Sequence, residues 1–122
     1  MAKKNSPKST SSPEAVAAYD RLIATVAEIE RKGDANPYTS INGNMFTLLL
    51  PPGRLAIRLA AEEREKFLKK HKTKLFEAYG VVMKEYVAVP DSMLSKTKTL
   101  KPYLETSLAY AKTLKKKATS KK

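Results

Sequence analysis

Ser40-Ile41-Asn42-Gly43-Asn44-Met45-Phe46 carries the clearest structural signal in this 122-residue chain. Asn-Gly between apolar, strand-prone residues is the strongest short-range signal for a β-hairpin, since both residues tolerate the positive φ of a type I′ turn. The apolar run Met45–Leu50 stops at Pro51-Pro52-Gly53, and Leu55–Leu59 then places Leu and Ile at every second position. The pattern predicts a three-stranded meander over residues 37–41, 44–50 and 54–59.

Helical patterns flank this meander on both sides. Ser11-Ser12-Pro13-Glu14 has the capping Ser and early Pro of a helix start, and the apolar spacing that follows predicts a helix to about Lys32, ending at Gly33. Residues 61–70 carry acids first and bases last, the order that suits a helix dipole. A last helix is predicted from an apolar stripe: Leu100, Tyr103, Leu104, Ser107, Leu108, Ala111 and Leu114.

A second pair of strands is predicted between the two later helices. Residues 74–79 and 81–89 are rich in β-branched and aromatic residues, Gly80 interrupts them, and Pro90 closes the run. The predicted fold class is α+β, an antiparallel sheet of about five strands with helices, in the order α-β-β-β-α-β-β-α.

The net charge of +12 is concentrated at the two ends of the chain. Residues 1–12 and 112–122 hold nine lysines and no acid, which leaves 15 of the 24 basic residues against 12 acidic ones, a net charge of +3. Polar, like-charged ends are typical of disorder. We therefore predict a disordered basic arm over 1–12, a domain over 13–115 and a disordered lysine-rich tail over 116–122.

Composition indicates a cytoplasmic protein. The chain has no cysteine, so it has no disulfide or thiolate chemistry and suits a reducing compartment. The polar residues after Lys3-Lys4 lack the apolar core of a signal peptide, and no apolar run reaches the roughly 20 residues of a membrane span. We expect no membrane contact.

Patterns for catalysis or cofactor binding are weak in this sequence. The single histidine, His71, lies among lysines at a predicted helix end, where a solvated side chain that complements the helix dipole is the simplest interpretation. With one histidine and no cysteine, a metal site would have only carboxylates, and the four glycines are isolated at predicted turns rather than grouped in a phosphate loop. We predict no enzyme activity, no catalytic residue, no metal and no cofactor.

Several short motifs together resemble the N-terminal domain of the TfoX/Sxy family, over roughly residues 14–115. The motifs are Asn42–Phe46, Leu55–Leu59, Gly80 with Met83–Val87 and Val89-Pro90, and Ser107–Ala111. The resemblance implies a small α+β fold similar to the YgaC group. It also implies a regulatory or protein-interaction module related to competence regulators, which act as co-activators beside the cyclic-AMP receptor protein, so the expected partner is a protein such as a transcription factor.

Two features differ from the family pattern. Many members enter the first strand through a Met-Phe-Gly-Gly-like segment, whereas this chain has Asn36-Pro37-Tyr38-Thr39-Ser40 and lacks the close backbone approach that paired glycines permit. The full regulators also carry a second, helical domain, whereas this chain ends soon after its last predicted helix, as in stand-alone versions of the domain.

Two sets of candidate contact residues follow from these patterns. The alternative function is a nucleic-acid-binding accessory protein without sequence specificity, for which the candidates are Arg54, Arg58, Lys69, Lys70, Lys72, Lys74, Lys112, Lys115, Lys116 and Lys117. Strand alternation predicts Arg54 and Arg58 on the sheet face opposite Leu55, Ile57 and Leu59. In Lys84-Glu85-Tyr86 the same alternation puts Lys84 and Tyr86 on one face, the candidate face for a protein partner.

Overall fold

The Asn42-Gly43 turn joins the first two strands. Strand β1 (Tyr38–Ile41) pairs antiparallel with β2 (Asn44–Leu50), and Ile41 lies opposite Asn44. Asn42 and Gly43 have φ values of 55° and 79°, and a type I′ turn requires positive φ at both central positions. The predicted hairpin is confirmed.

The computed structural model describes residues 12–33, 37–50, 53–78 and 80–114. Beside the β1–β2 hairpin its elements are α1 (Pro13–Ala24), β3 (Arg54–Arg58), α2 (Ala61–His71), β4 (Leu75–Ala78), β5 (Val81–Val89), a 3₁₀ turn (Asp91–Met93) and α3 (Thr97–Thr113). The order confirms the predicted α+β fold class. Apart from Ser12, the predicted basic arm and the predicted lysine-rich tail lie outside the described residues.

The strands of the described residues form one antiparallel sheet in the order β1-β2-β3-β5-β4. Leu55 and Ile57 of β3 are fully buried on one face, where they pack with Tyr19 and Leu22 of α1 and with Leu104 of α3. The main core therefore lies between this face of the sheet and the helices.

A chain of hydroxyl groups crosses the main core. The Tyr19 hydroxyl lies 2.7 Å from the Thr47 hydroxyl, which lies 2.6 Å from the hydroxyl of Thr39 on the neighbouring strand. All three residues are fully buried, and each hydroxyl has a partner, which removes the cost of an unpaired polar group in the core. Burial also raises the pKa of Tyr19, so it remains neutral.

Strand β2 contains a bulge. Its pairing with β1 shifts between Thr39 and Ser40, which leaves Phe46 as an extra residue without a partner in that ladder. The Phe46 side chain is buried in the main core, and its carbonyl oxygen accepts a hydrogen bond from the Ser107 hydroxyl of α3 at 3.3 Å. The bulge thus connects the sheet to the last helix.

Strand β5 bends in its middle. It pairs with β4 at Val87 opposite Leu75, but the next pair is Met83 opposite Phe76. Three residues of β5, 84–86, therefore lie outside the β4 ladder. Such an irregularity changes the direction of a strand, and the end of the β4–β5 hairpin departs from the line of the sheet.

This bent hairpin end covers the second face of the sheet. Phe76 and Ala78 of β4 are buried in one cluster with Leu50 and Ala56. Since Ala56 alternates with Leu55 and its neighbours in β3, this second cluster lies on the face away from the main core. Both faces of the sheet are thus packed, one by helices and one by the hairpin.

Helix α1 is shorter than predicted. It ends at Ala24 rather than near Lys32, because the Thr25 hydroxyl and backbone N–H both donate to the Leu22 carbonyl oxygen, at 2.7 and 3.1 Å. Such local side-chain bonds compete with continued helical bonding.

The residues after α1 explain why the apolar spacing of a helix continues beyond its end. Val26 and Ile29 pack against the main core from turns rather than from a helix. Their positions in the sequence nevertheless have the spacing of a helical apolar face. Further on, Lys32 pairs with Tyr38 through two backbone hydrogen bonds of 2.8 and 2.9 Å. The backbone of Lys32 must therefore lie beside the edge of β1. A helix that continued through Lys32 would use these backbone groups for its own hydrogen bonds.

We expect Gly53→Ala to lower the free energy of unfolding by about 1–3 kcal/mol, as overpacking does. A Cβ at Gly53 would lie 2.8 Å from the Ala15 Cβ of α1, so the turn or the helix would have to shift. Denaturant unfolding measures the change. Ala15→Gly removes the clashing atom, and the double variant should lose less stability than the sum of the single variants; simple additivity would contradict the close approach.

Candidate functional site

Arg58, a predicted nucleic-acid contact, is the centre of a polar cluster inside the fold. Its guanidinium donates to Glu85 from Nε at 2.7 Å and from Nη2 at 2.5 Å, and to the Met45 carbonyl oxygen from Nη1 at 3.3 Å. The ring centroids of Tyr86 and Tyr110 lie 5.6 and 5.9 Å from the guanidinium carbon, within cation–π range. With 15% of its side chain exposed, Arg58 is committed to the protein's own acceptors rather than to a phosphate.

Two tyrosine hydroxyls complete this cluster. The Tyr86 hydroxyl donates to the Met45 carbonyl oxygen at 2.7 Å, and the Tyr110 hydroxyl of α3 donates to Glu85 Oε2 at 3.1 Å. The cluster therefore joins the bulge of β2, the end of β3, the bend of β5 and α3. We call Arg58, Glu85, Tyr86 and Tyr110 the bend cluster.

The protonation states of the bend cluster support these bonds. Burial alone would raise the pKa of Glu85, but the hydrogen bond and charge of Arg58, the Tyr110 hydroxyl and Arg64 outweigh burial and lower it. Burial raises the pKa of Tyr86 and of Tyr110, and the negative charge of Glu85 acts in the same direction. Near neutral pH, Glu85 is therefore ionised and both tyrosines are neutral donors.

Arg54 and Lys112, two further predicted nucleic-acid contacts, also have partners within the fold. The Arg54 guanidinium carbon lies 4.7 Å from the centroid of the Phe76 ring, and the guanidinium donates to the Glu77 backbone carbonyl oxygen. Lys112 Nζ lies 2.6 Å from Glu28 Oε2 in an exposed ion pair, which is worth about 0–1 kcal/mol. Arg54 therefore helps to cover the second cluster, which lies on the sheet face opposite Leu55, where the sequence predicts it.

Exposed lysines lie together at the end of α2 and in the segment that leads to β4. They are Lys69, Lys70, Lys72 and Lys74. The ion pairs formed among the described residues use none of them. We call residues 69–74 the basic segment; of the predicted nucleic-acid set, these lysines are the ones that the structure brings together at the surface. Lys115, Lys116 and Lys117 lie outside the described residues.

The backbone of the basic segment is held in place. The Thr73 hydroxyl donates to the Ala88 carbonyl oxygen at 2.7 Å, and the Ala88 N–H donates to the Lys74 carbonyl oxygen at 2.9 Å. Lys72 ends α2 in the left-handed region, with φ of 51°. The lysine side chains therefore project from a backbone that is fixed to β5.

The bend of β5 changes the predicted protein-interaction face. Met83 and Tyr86 are three residues apart, yet both pack against the second cluster, so the alternation that would put Lys84 beside Tyr86 is broken. Lys84 is exposed, whereas Tyr86 is half-buried and its hydroxyl belongs to the bend cluster. Contact of these two residues with a partner stays a prediction.

Sequence reasoning missed two exposed large apolar side chains among the described residues. Val81 is 63% exposed and Val82 is 45% exposed. They follow Gly80, whose φ is 78°, at the end of the β4–β5 hairpin, and we call residues 80–82 the hairpin tip. Two β-branched residues predict a strand, but only the position directly after a turn glycine indicates that their side chains lie at a tip.

His71 is not the solvated side chain that the sequence predicts. It is half-buried, its Nε2 lies 3.0 Å from the Tyr103 hydroxyl of α3, and its ring centroid lies 4.6 Å from that of Phe67. Burial lowers the pKa of His71, and the positive charge of Lys70 adds to the effect. The cause is packing between α2 and α3, which the position of His71 at a helix end does not reveal.

No known protein-family model matches this chain, and no curated protein matches it. In the part of the chain that the structure describes, no group of three or more His, Cys, Asp or Glu side chains is placed to hold a metal ion. No helix within the same ranges combines the length and the apolar character that a bilayer crossing needs. The bend cluster, the basic segment and the hairpin tip are the features of the described residues on which a function can rest.

We expect Glu85→Gln to lower the free energy of unfolding near neutral pH by about 1–3 kcal/mol, because it removes the charge that faces a mostly buried Arg58. Glu105→Gln, at an exposed position of α3, is the matched control and should change stability by less than about 0.5 kcal/mol.

The pH dependence of this effect has a definite sign. Because the pKa of Glu85 in the folded state lies below its ordinary 4.5, its contribution is fully present above that pH and is lost as the pH falls through the folded-state value. Wild type should therefore lose more stability than Glu85→Gln between about pH 5 and pH 3. Identical pH slopes for the two proteins would contradict this assignment.

Proposed function

We propose that this protein is a non-enzymatic regulatory or protein-interaction module of the cytoplasm, as the resemblance to the TfoX/Sxy N-terminal domain implies, and that the hairpin tip contacts its partner. The observation that carries the proposal is the exposure of Val81 and Val82, at 63% and 45%. A partner that covers this apolar surface gains free energy roughly in proportion to the area removed from water. A transcription factor is the partner that the resemblance favours.

The packing of the residues on either side of the hairpin tip supports this proposal. Ala78 and Met83, which precede and follow the tip on β4 and β5, pack in the second cluster with Phe76, and Arg54 lies over the Phe76 ring. A tip that is held in this way loses little conformational freedom when a partner covers it. Within the bend, Glu85 bonds to Arg58 and to Tyr110, so this part of β5 is also held by the bend cluster.

We expect Val81→Thr with Val82→Thr to weaken partner binding about tenfold without unfolding the protein, because Thr keeps the β-branched shape but not the apolar surface. The partner is first captured in cells of the native host by a photo-crosslinking residue at position 82, with the same residue at position 105 of α3 as control. Binding of the purified partner to wild type and to the double variant is then measured by calorimetry. Equal capture at both positions, or equal affinity of both proteins, would count against the hairpin tip.

A second candidate function is nucleic-acid binding without sequence specificity. The observation that favours it is the basic segment, where four exposed lysines project from a fixed backbone and no ion pair of the described residues uses them. Phosphate contacts of this kind supply most of non-specific affinity and make it depend on salt. The lysines beyond residue 114 add positive charge to the same chain.

For this function we expect Lys72→Gln with Lys74→Gln to weaken binding to duplex DNA and to reduce the slope of log affinity against log salt by about 2, since each phosphate contact contributes about 0.9. Arg21→Gln with Lys101→Gln removes the same charge outside the basic segment and should leave most of the slope. Fluorescence anisotropy of a labelled duplex over a salt series measures both. A slope that falls equally in the two variants would assign the effect to net charge alone.

A further inference from the structure

A groove of about 380 Å³ lies between α2 and α3, next to the basic segment. Its wall on α3 is formed by Thr99, Pro102, Tyr103 and Thr106, and Lys70 and His71 line it from the end of α2. Glu63, near the start of α2, also lines the groove, seven residues or about 10 Å of helix from Lys70. The groove therefore carries a negative charge and a positive charge at separate points along α2, with an aromatic wall on α3.

The aromatic wall of this groove is held in position. The Tyr103 hydroxyl lies 3.0 Å from His71 Nε2, and the Tyr103 ring meets the fully buried Phe67 ring edge-on, at a centroid distance of 4.8 Å. The His71 ring centroid is 5.6 Å from that of Tyr103. These contacts orient the rings before any ligand arrives, which lowers the entropic cost of stacking against them.

The groove offers the groups that a nucleotide requires. Tyr103 and Pro102 provide apolar surface for a base, the hydroxyls of Thr99 and Thr106 can donate or accept hydrogen bonds, and the Glu63 carboxylate can accept from a base amino group. The Lys70 ammonium can bind the phosphate. Beyond Lys70, the exposed side chains of Lys69, Lys72 and Lys74 extend the positive charge toward neighbouring phosphates.

We propose that the groove between α2 and α3 receives one nucleotide of a single-stranded nucleic acid, with the base against Tyr103 and Pro102 and the phosphate on Lys70. The proposal rests on the second candidate function and names its ligand. A single strand is required because the bases of a duplex are stacked and paired and do not present a free face to a groove. Stacking on a held aromatic side chain is tolerant of base identity, which agrees with binding that is not sequence-specific.

The test uses the full chain and Thr99→Glu, which places a carboxylate in the groove. Glu is favourable in the first turn of a helix, so the variant should fold. Thr97→Glu is the matched control: it adds the same charge in the same turn, but two residues away and hence on another side of the helix. Binding of a fluorescent single-stranded oligonucleotide of mixed sequence is measured by anisotropy, with a duplex of the same sequence and a free mononucleotide as further ligands.

We expect Thr99→Glu to weaken single-strand binding about tenfold, the usual worth of one stacked base with its phosphate, and Thr97→Glu to weaken it less than about twofold. Single-strand binding by wild type should exceed duplex binding at the same salt concentration. An oligonucleotide carrying a photoreactive uracil should crosslink to the peptide that contains Tyr103. These three results together would support the groove as the nucleotide site.

Other outcomes separate the groove from the function on which it rests. If both Glu variants bind as wild type does while Lys72→Gln with Lys74→Gln weakens binding, the protein binds nucleic acid through the basic segment and the groove proposal is overturned. If the free mononucleotide binds as tightly as the strand, the assignment to a nucleic-acid chain is overturned. If wild type binds no nucleic acid at low salt, the second candidate function itself fails.

Discussion

The extra residue in β2 is the constraint on which much of the described fold depends. At the Phe46 bulge the backbone leaves regular pairing, and its carbonyl oxygens need other donors. The Ser107 hydroxyl of α3 donates to the Phe46 carbonyl oxygen, whereas Arg58 and the Tyr86 hydroxyl donate to that of Met45. One irregularity thus ties β2 to the end of β3, to the bend of β5 and to the last helix.

The same network decides which positive charges are available at the surface. Arg58 donates hydrogen bonds to Glu85 and to a carbonyl oxygen at the bulge, and Arg54 lies over the Phe76 ring. The exposed lysines of the basic segment lie at the end of α2 and directly after it, and they enter no ion pair among the described residues. Of the predicted nucleic-acid contacts, Arg54 and Arg58 therefore have partners within the fold, whereas the lysines of the basic segment lie at the surface, a difference that a count of basic residues does not reveal.

Features that depend on residues close together in the sequence were predicted correctly, whereas features that depend on distant contacts were not. The Asn42-Gly43 turn and the order of the elements were predicted, because turn chemistry and apolar periodicity act over a few residues. The end of α1 was predicted wrongly, because Val26 and Ile29 keep a helical spacing while they pack from turns. The environment of His71 was also predicted wrongly, since its Tyr103 partner is 32 residues away along the chain.

The α+β class, the hairpin and the faces of β3 were predictable, since each depends on local φ preferences or on alternation within one strand. Three features depend on tertiary contacts: Arg58 is mostly buried, Val81 and Val82 are exposed at a hairpin tip, and a groove opens between α2 and α3. They could not be predicted because the exposure and the partners of a side chain depend on which distant elements cover it. Here the bend of β5 and the packing of α3 on α2 determine which side chains are covered. Neither feature has a local signature in the residues that form it.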